Sequence, residues 1–76
     1  MVFEKVMTGK LGKVTFKKGK YLSSRSVENY RIKLYVIESD HDLPEDEFYE
    51  IFYNINENML PRIEKMTNLD KINLYL

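Results

Sequence analysis

The spacing of apolar residues switches period partway along this chain and then switches back, and that switch limits the fold more than any other feature. In "YRIKLYVIE", residues 30–38, Tyr30, Ile32, Leu34 and Val36 fall on one side and Arg31, Lys33, Tyr35 and Ile37 on the other. A two-residue repeat of this kind is that of a half-buried strand. "VFEKVMT" (2–8) and "KVTFKK" (13–18) alternate in the same way around Gly9–Gly12 and read as a β-hairpin. Between them and the third strand, "GKYLSSRSVEN" is polar and serine-rich, a loop that can open as a short continuation of the second strand. After Asp42 the period becomes helical: Phe48, Ile51, Phe52, Ile55 and Met59 share one arc at about 100° per residue, the stripe a helix turns to a core. "INLYL" (72–76) then alternates again as a short last strand.

The expected architecture is a single α+β domain over residues 1–76, a three-stranded antiparallel sheet with one principal helix packed on it and a short C-terminal strand. Asp42 followed three residues later by Glu45 resembles a capping box, with Pro44 in the first turn, where its missing N–H costs nothing. Pro61 is expected to end or kink the helix near Leu60, with "RIEKM" able to add one more turn. Seventy-six residues are few enough that the core contributes only about 3–5 kcal/mol of net stability. The chain has no cysteine to staple it, which excludes disulfides and thiolate metal sites and favours a reducing compartment. "MVFEKVMTGKLGK" meets charge at Glu4 and Lys5 and holds no apolar run fit for a signal peptide or a membrane span. A soluble cytoplasmic protein is expected.

Charge is segregated although the formal net charge is zero. Residues 1–33 carry nine Lys or Arg against two acids, or +7; residues 34–61 carry eight acids and no Lys or Arg, or −8; residues 62–76 carry three bases and two acids, or +1. "IESDHDLPEDEFYEIF" (37–52) alone holds seven carboxylates. On a helical wheel Asp46, Glu50 and Glu57 form a narrow stripe with Glu47 farther round, while Tyr49, Tyr53 and Leu60 lie between that stripe and the core arc. Two readings of this second apolar surface stand side by side. Tyrosines beside charge suit a contact surface, and a sheet that wraps farther round the helix would bury the same residues.

Chemistry finds little purchase here. Glu38, Asp40 and Asp42 place oxygens at every second position, but an EF-hand needs Gly at its sixth position and Glu at its twelfth. Counting from Glu38 gives Leu43 and Tyr49, and counting from Asp40 gives Glu45 and Ile51. Asp40, His41 and Asp42 leave only a loose divalent site, and no metal or other cofactor is expected. The lone His41 has no cysteine to activate, the serines of "SSRS" sit in a basic loop without a motif, and Gly9, Gly12 and Gly19 are turn glycines rather than a phosphate loop. A paired-carboxylate mechanism needs a deeper cleft than so short a chain builds. A non-enzymatic protein is expected.

The acids make better sense as a surface. In an extended segment Glu38, Asp40 and Asp42 repeat at about 6.6–6.8 Å, and helical neighbours such as Asp46 and Glu50 lie roughly 5–6 Å apart at Cβ, separations of the order on which a nucleic-acid strand displays phosphates. An array of Glu38, Asp40, Asp42, Glu45, Asp46, Glu47, Glu50 and Glu57, with Tyr53 as an apolar anchor, is therefore able to occupy the Lys/Arg groove of a DNA-binding protein. A solvated acidic face is the plainer alternative. The basic half offers a competing site: Lys13, Thr15, Lys17, Arg31, Lys33 and Tyr35 on the outer sheet face would suit a nucleic-acid strand. A homodimer pairing basic sheet with acidic helix is a third arrangement.

Short cysteine-free chains rich in Tyr, Asn, Ile and Lys, with a carboxylate cluster like Glu38–Glu57, resemble the host-takeover proteins of lytic Bacillus phages. One group of these is acidic DNA mimics that inhibit the nucleoid protein HU. The resemblance extends over the whole chain in style, while the +7 first segment departs from the uniform acidity of many mimics. It implies an inhibitor acting in the host cytoplasm, with the acidic residues against the DNA-binding arms or saddle of an HU-like protein and no direct contact with nucleic acid.

Overall fold

The computed structural model describes residues 9–19, 25–67 and 69–76. Among them the elements run β1 (Lys13–Lys18), β2 (Leu34–Ser39), α1 (Glu45–Glu64) and β3 (Lys71–Tyr75). The strands form one antiparallel sheet in the order β2-β1-β3, with α1 against one face. This is the expected α+β class. The C-terminal strand is a full member of the sheet, and β1 is the central strand of the three. The first hairpin arm expected at residues 2–8 lies outside the described residues.

Period-two alternation explains the packing. Register pairs Val14 with Leu74 and Phe16 with both Ile72 and Val36, so apolar side chains from three strands meet on the inner face. Val14, Phe16, Leu34, Ile72 and Leu74 are buried there, together with Phe48, Ile51, Phe52, Ile55 and Ile63 of α1. Rings dominate the contact: Phe48 stacks on Phe16 at 6.1 Å and on Phe52 at 6.0 Å between centroids. Burial of a large aromatic side chain contributes roughly 1.5–3 kcal/mol, so this row anchors the helix.

The β1–β2 register slips by one residue between Thr15 and Phe16. Phe16 faces Val36 and Thr15 faces Glu38, leaving Ile37 as the extra residue of a bulge. Strict alternation predicts Ile37 on the outer face, and the bulge instead transfers that face to Glu38 and leaves Ile37 part-exposed. Past the bulge, Asp40 completes the edge: its backbone N–H donates to the Lys13 carbonyl at 3.0 Å, and its Oδ2 accepts from the Lys13 N–H at 2.9 Å. Gly12, at φ +138°, is required here, because a Cβ on it would stand 3.0 Å from the Asp40 Cβ. Gly12 also exchanges backbone hydrogen bonds with Leu76 at 3.0 and 2.6 Å, so the Gly9–Gly12 segment fastens the end of β3 to the sheet.

One helix-boundary expectation is corrected and another is narrowed. The capping box of Asp42 and Glu45 is not formed: the N-cap is Pro44, which has no side-chain acceptor, and α1 starts at Glu45. Glu45, Asp46 and Glu47 occupy the first turn instead, where the positive end of the helix dipole stabilises their charge. Of the two outcomes left open at Pro61, the helix takes the further turn and continues to Glu64. A helix-interior proline costs about 3 kcal/mol; the turn beyond it places Ile63 fully in the core. Lys18 reaches across from β1 to close that turn, its Nζ donating to the carbonyls of Glu64 at 3.2 Å and Met66 at 3.1 Å. Helix C-termini leave such carbonyls without intrahelical donors.

Candidate interaction surface

The acidic residues do not form one continuous array. Glu38 is on the outer sheet face opposite Thr15. Asp40 spends one oxygen on the Lys13 backbone. Asp42 is exposed in the loop before α1, next to Leu43, whose carbonyl accepts a hydrogen bond from Arg25. Glu45 accepts a long hydrogen bond from Tyr49 Oη at 3.4 Å, and Glu47 Oε1 lies 3.9 Å from His41 Nε2. These acids thus divide between two layers and a loop, and several have work inside the fold.

Helical geometry does bring Asp46, Glu50, Tyr53 and Glu57 together. Offsets of four, seven and eleven residues return to within an arc of about 60° and span about 17 Å along the axis. All four are exposed. Asp46, Glu50 and Glu57 form no ion pair with a described Lys or Arg, although Arg31 from the loop before β2 pairs with Glu64 at 2.7 Å on the same helix. Asp46 lies in the first turn and gains from the dipole, an effect that fades within that turn. Glu50 and Glu57 lie beyond it, and nothing among the described residues uses their charge.

The second apolar surface is largely a wrapped core. Tyr30, ahead of β2, covers it: its ring lies 5.1 Å from Phe52 and 5.3 Å from Tyr53. Tyr49, Met59 and Leu60 are partly buried against the core. Tyr53 remains 41% exposed, its ring 6.4 Å from Tyr49. Asn29 makes this wrap possible by taking φ +62°, a left-handed turn that Asn tolerates better than most residues.

The basic sheet face is also reshaped. Lys17 stands between Tyr35 and Lys71, and Lys13 opposes Tyr75, but Arg31 turns to the helix and leaves that face. Thr15, expected outward, is buried and donates to Asn73 Oδ1 at 3.0 Å.

One buried polar residue on the helix escapes a reading by composition. Asn54, Asn56 and Asn58 each donate their side-chain amide to the carbonyl four residues earlier, and Asn56 is 2% exposed with its Oδ1 lacking any partner. Such an orphan costs about 1–3 kcal/mol. The available signal was its spacing, three residues after Tyr53 and four before Leu60, which sets it inside the second apolar surface. Asn56 lines a cleft of about 350 Å³ with Asn29, Tyr30, Arg31, Glu57 and Leu60. Among the described residues no group of three or more His, Cys, Asp or Glu is placed to hold a metal ion, and no helix is long and apolar enough to cross a membrane. Comparison of the chain with protein-family models, with curated proteins and with solved structures finds no match.

Proposed function

We propose that the chain is a non-enzymatic binding protein whose outward helix face, Asp46, Glu50 and Glu57 around Tyr53, occupies the nucleic-acid groove of a basic DNA-binding protein such as the nucleoid protein HU. Occupying that groove excludes DNA, and such a partner places the chain in a bacterial cytoplasm. The observation that carries this reading is the position of Glu50 and Glu57 on one exposed face, beyond the first turn where the helix dipole acts and in no ion pair with a described Lys or Arg. Like charges on one helix face repel, and mixed signs would stabilise the helix at no cost to its packing. Their use therefore lies outside the fold. Glu38 on the outer sheet face and Asp40 and Asp42 ahead of α1 stand apart from this stripe, and long-range attraction from all the acids speeds encounter with a positive groove.

Competition tests the reading. The protein should displace a DNA duplex from purified HU, and excess DNA should displace the protein, because two ligands for one groove exclude each other. Asp46→Asn, Glu50→Gln and Glu57→Gln together should slow association and flatten its salt dependence. Tyr53→Ala should mainly speed dissociation, with a loss of about 1–3 kcal/mol. A ternary complex containing DNA and this protein at once sinks the proposal. Direct binding of bare DNA, lost on replacing Lys13, Lys17 and Lys71, would move the function to the sheet face.

A further inference from the structure

The cleft beside the acidic stripe has a chemistry of its own. We infer that it receives a single arginine side chain from the basic partner, an inference that deepens the proposed function and rests on it. Asn56 lines it, and the Asn56 Oδ1 behind that lining is buried and without a donor. The amide cannot satisfy that oxygen by turning over, because its Nδ2 donates to the Phe52 carbonyl at 3.1 Å and a flip would set acceptor against acceptor. Pro61 has no N–H, so the Glu57 backbone carbonyl four residues earlier is deprived of its helical donor. The Glu57 carboxylate, exposed and unpaired, stands at the rim. The residues lining the cleft thus carry one oxygen without a donor, one carbonyl that loses its i+4 N–H, and one unpaired carboxylate.

The walls select the kind of donor. Tyr30 and Leu60 are partly buried apolar surfaces that suit an aliphatic stem, and a tyrosine ring also attracts a cation across its face. A guanidinium presents five N–H groups in a planar fork and is more weakly hydrated than an ammonium, so it answers several acceptors where lysine answers one. The chain's own Arg31 lines the cleft, but its guanidinium is engaged by Glu64 at 2.7 Å. Asn56 Oδ1 is closed to water at rest, which imposes a mechanical requirement: the Leu60 side chain shifts when the cleft fills.

The test is an NMR titration of the whole chain with N-acetylarginine amide and, separately, with its neutral isostere N-acetylcitrulline amide. With the arginine probe, the Asn56 side-chain amide, the Tyr30 ring and the Leu60 methyls should shift together and saturate; citrulline should need at least several-fold higher concentration. Asn56→Leu keeps the branched shape and heavy-atom count and removes the orphan, so it should fold while losing the arginine response. Glu57→Gln, a surface change, provides the same comparison if Asn56→Leu fails to fold. Equal responses to both probes, an undiminished response in either variant, or shifts confined to Asp46 and Glu50 would overturn the inference. The two proposals fail separately. Saturable arginine binding without displacement of DNA from HU removes the groove reading alone, and DNA displacement by Asn56→Leu with an unchanged off-rate removes the cleft alone.

Discussion

The two sides of α1 are held in place by different physics. On the inner side Phe48, Ile51, Phe52, Ile55 and Ile63 are buried among three strands, and each contact is short-ranged and specific. On the outer side Asp46, Glu50 and Glu57 touch little. The outer side is itself divided, because the first turn uses its charge and the middle of the helix does not. Glu45 and Glu57 are the same residue type on the same helix, but one sits at the positive end of the dipole and the other three turns away. Charge clustering in a sequence therefore overstates an interface. Part of any acidic run before a helix belongs to the helix.

Breaking the inner side should have the largest effect. Phe52→Ala removes the ring that meets both Phe48 and Tyr30 and should cost about 3–5 kcal/mol, read from urea melts. Melting like the parent would mean that the two sides have been assigned the wrong way round. On the outer side, replacing Glu45, Asp46 and Glu47 by their amides should lower stability by about 1–2 kcal/mol in low salt, less in high salt. A loss independent of salt would detach those acids from the dipole. Lys18→Ala, which strips two carbonyls of their cap, should cost about 1 kcal/mol and speed amide exchange in the turn after Pro61. Glu50→Gln with Glu57→Gln should change stability by less than about 0.5 kcal/mol. A larger loss would show that the fold uses these two charges after all.

Periodicity was enough to place β1, the core arc of α1 and β3, because alternation and the helical repeat are imprinted by the side each residue buries, but it began the strand of residues 30–38 four residues early, since β2 starts at Leu34. What it missed depends on contacts between distant residues. The bulge at Ile37 is invisible to a strict two-residue repeat, since it arises where β2 must both pair with Thr15 and deliver Asp40 to Lys13. The extra turn past Pro61 was left open by the sequence and is decided by Ile63 reaching a core built from other elements, with Lys18 arriving from β1 to cap the turn. The acidic stripe was legible from spacing alone as Asp46, Glu50 and Glu57. The cover that Tyr30 places over Tyr53 was not, because it needs the left-handed turn at Asn29. Asn56 was hidden by its type: three asparagines stand at alternate positions, and only one of them is buried.

The central place of β1 has a consequence in time. One of its two neighbours, β3, is made much later than it is, and the hydrogen bond from Thr15 to Asn73 closes a separation of 58 residues. At a synthesis rate of about 5–20 residues per second, β3 follows β1 off the ribosome by roughly 3–11 seconds, and pairings so distant in sequence are slow to form even afterwards. Through that interval one edge of β1 has no native strand beside it, open to the β1 of another nascent copy. Lys13, Lys17 and Lys18 put three like charges on that exposed edge, and lysines there make a second copy an unfavourable neighbour. The basic character of this segment thus protects the chain before it has any partner to meet.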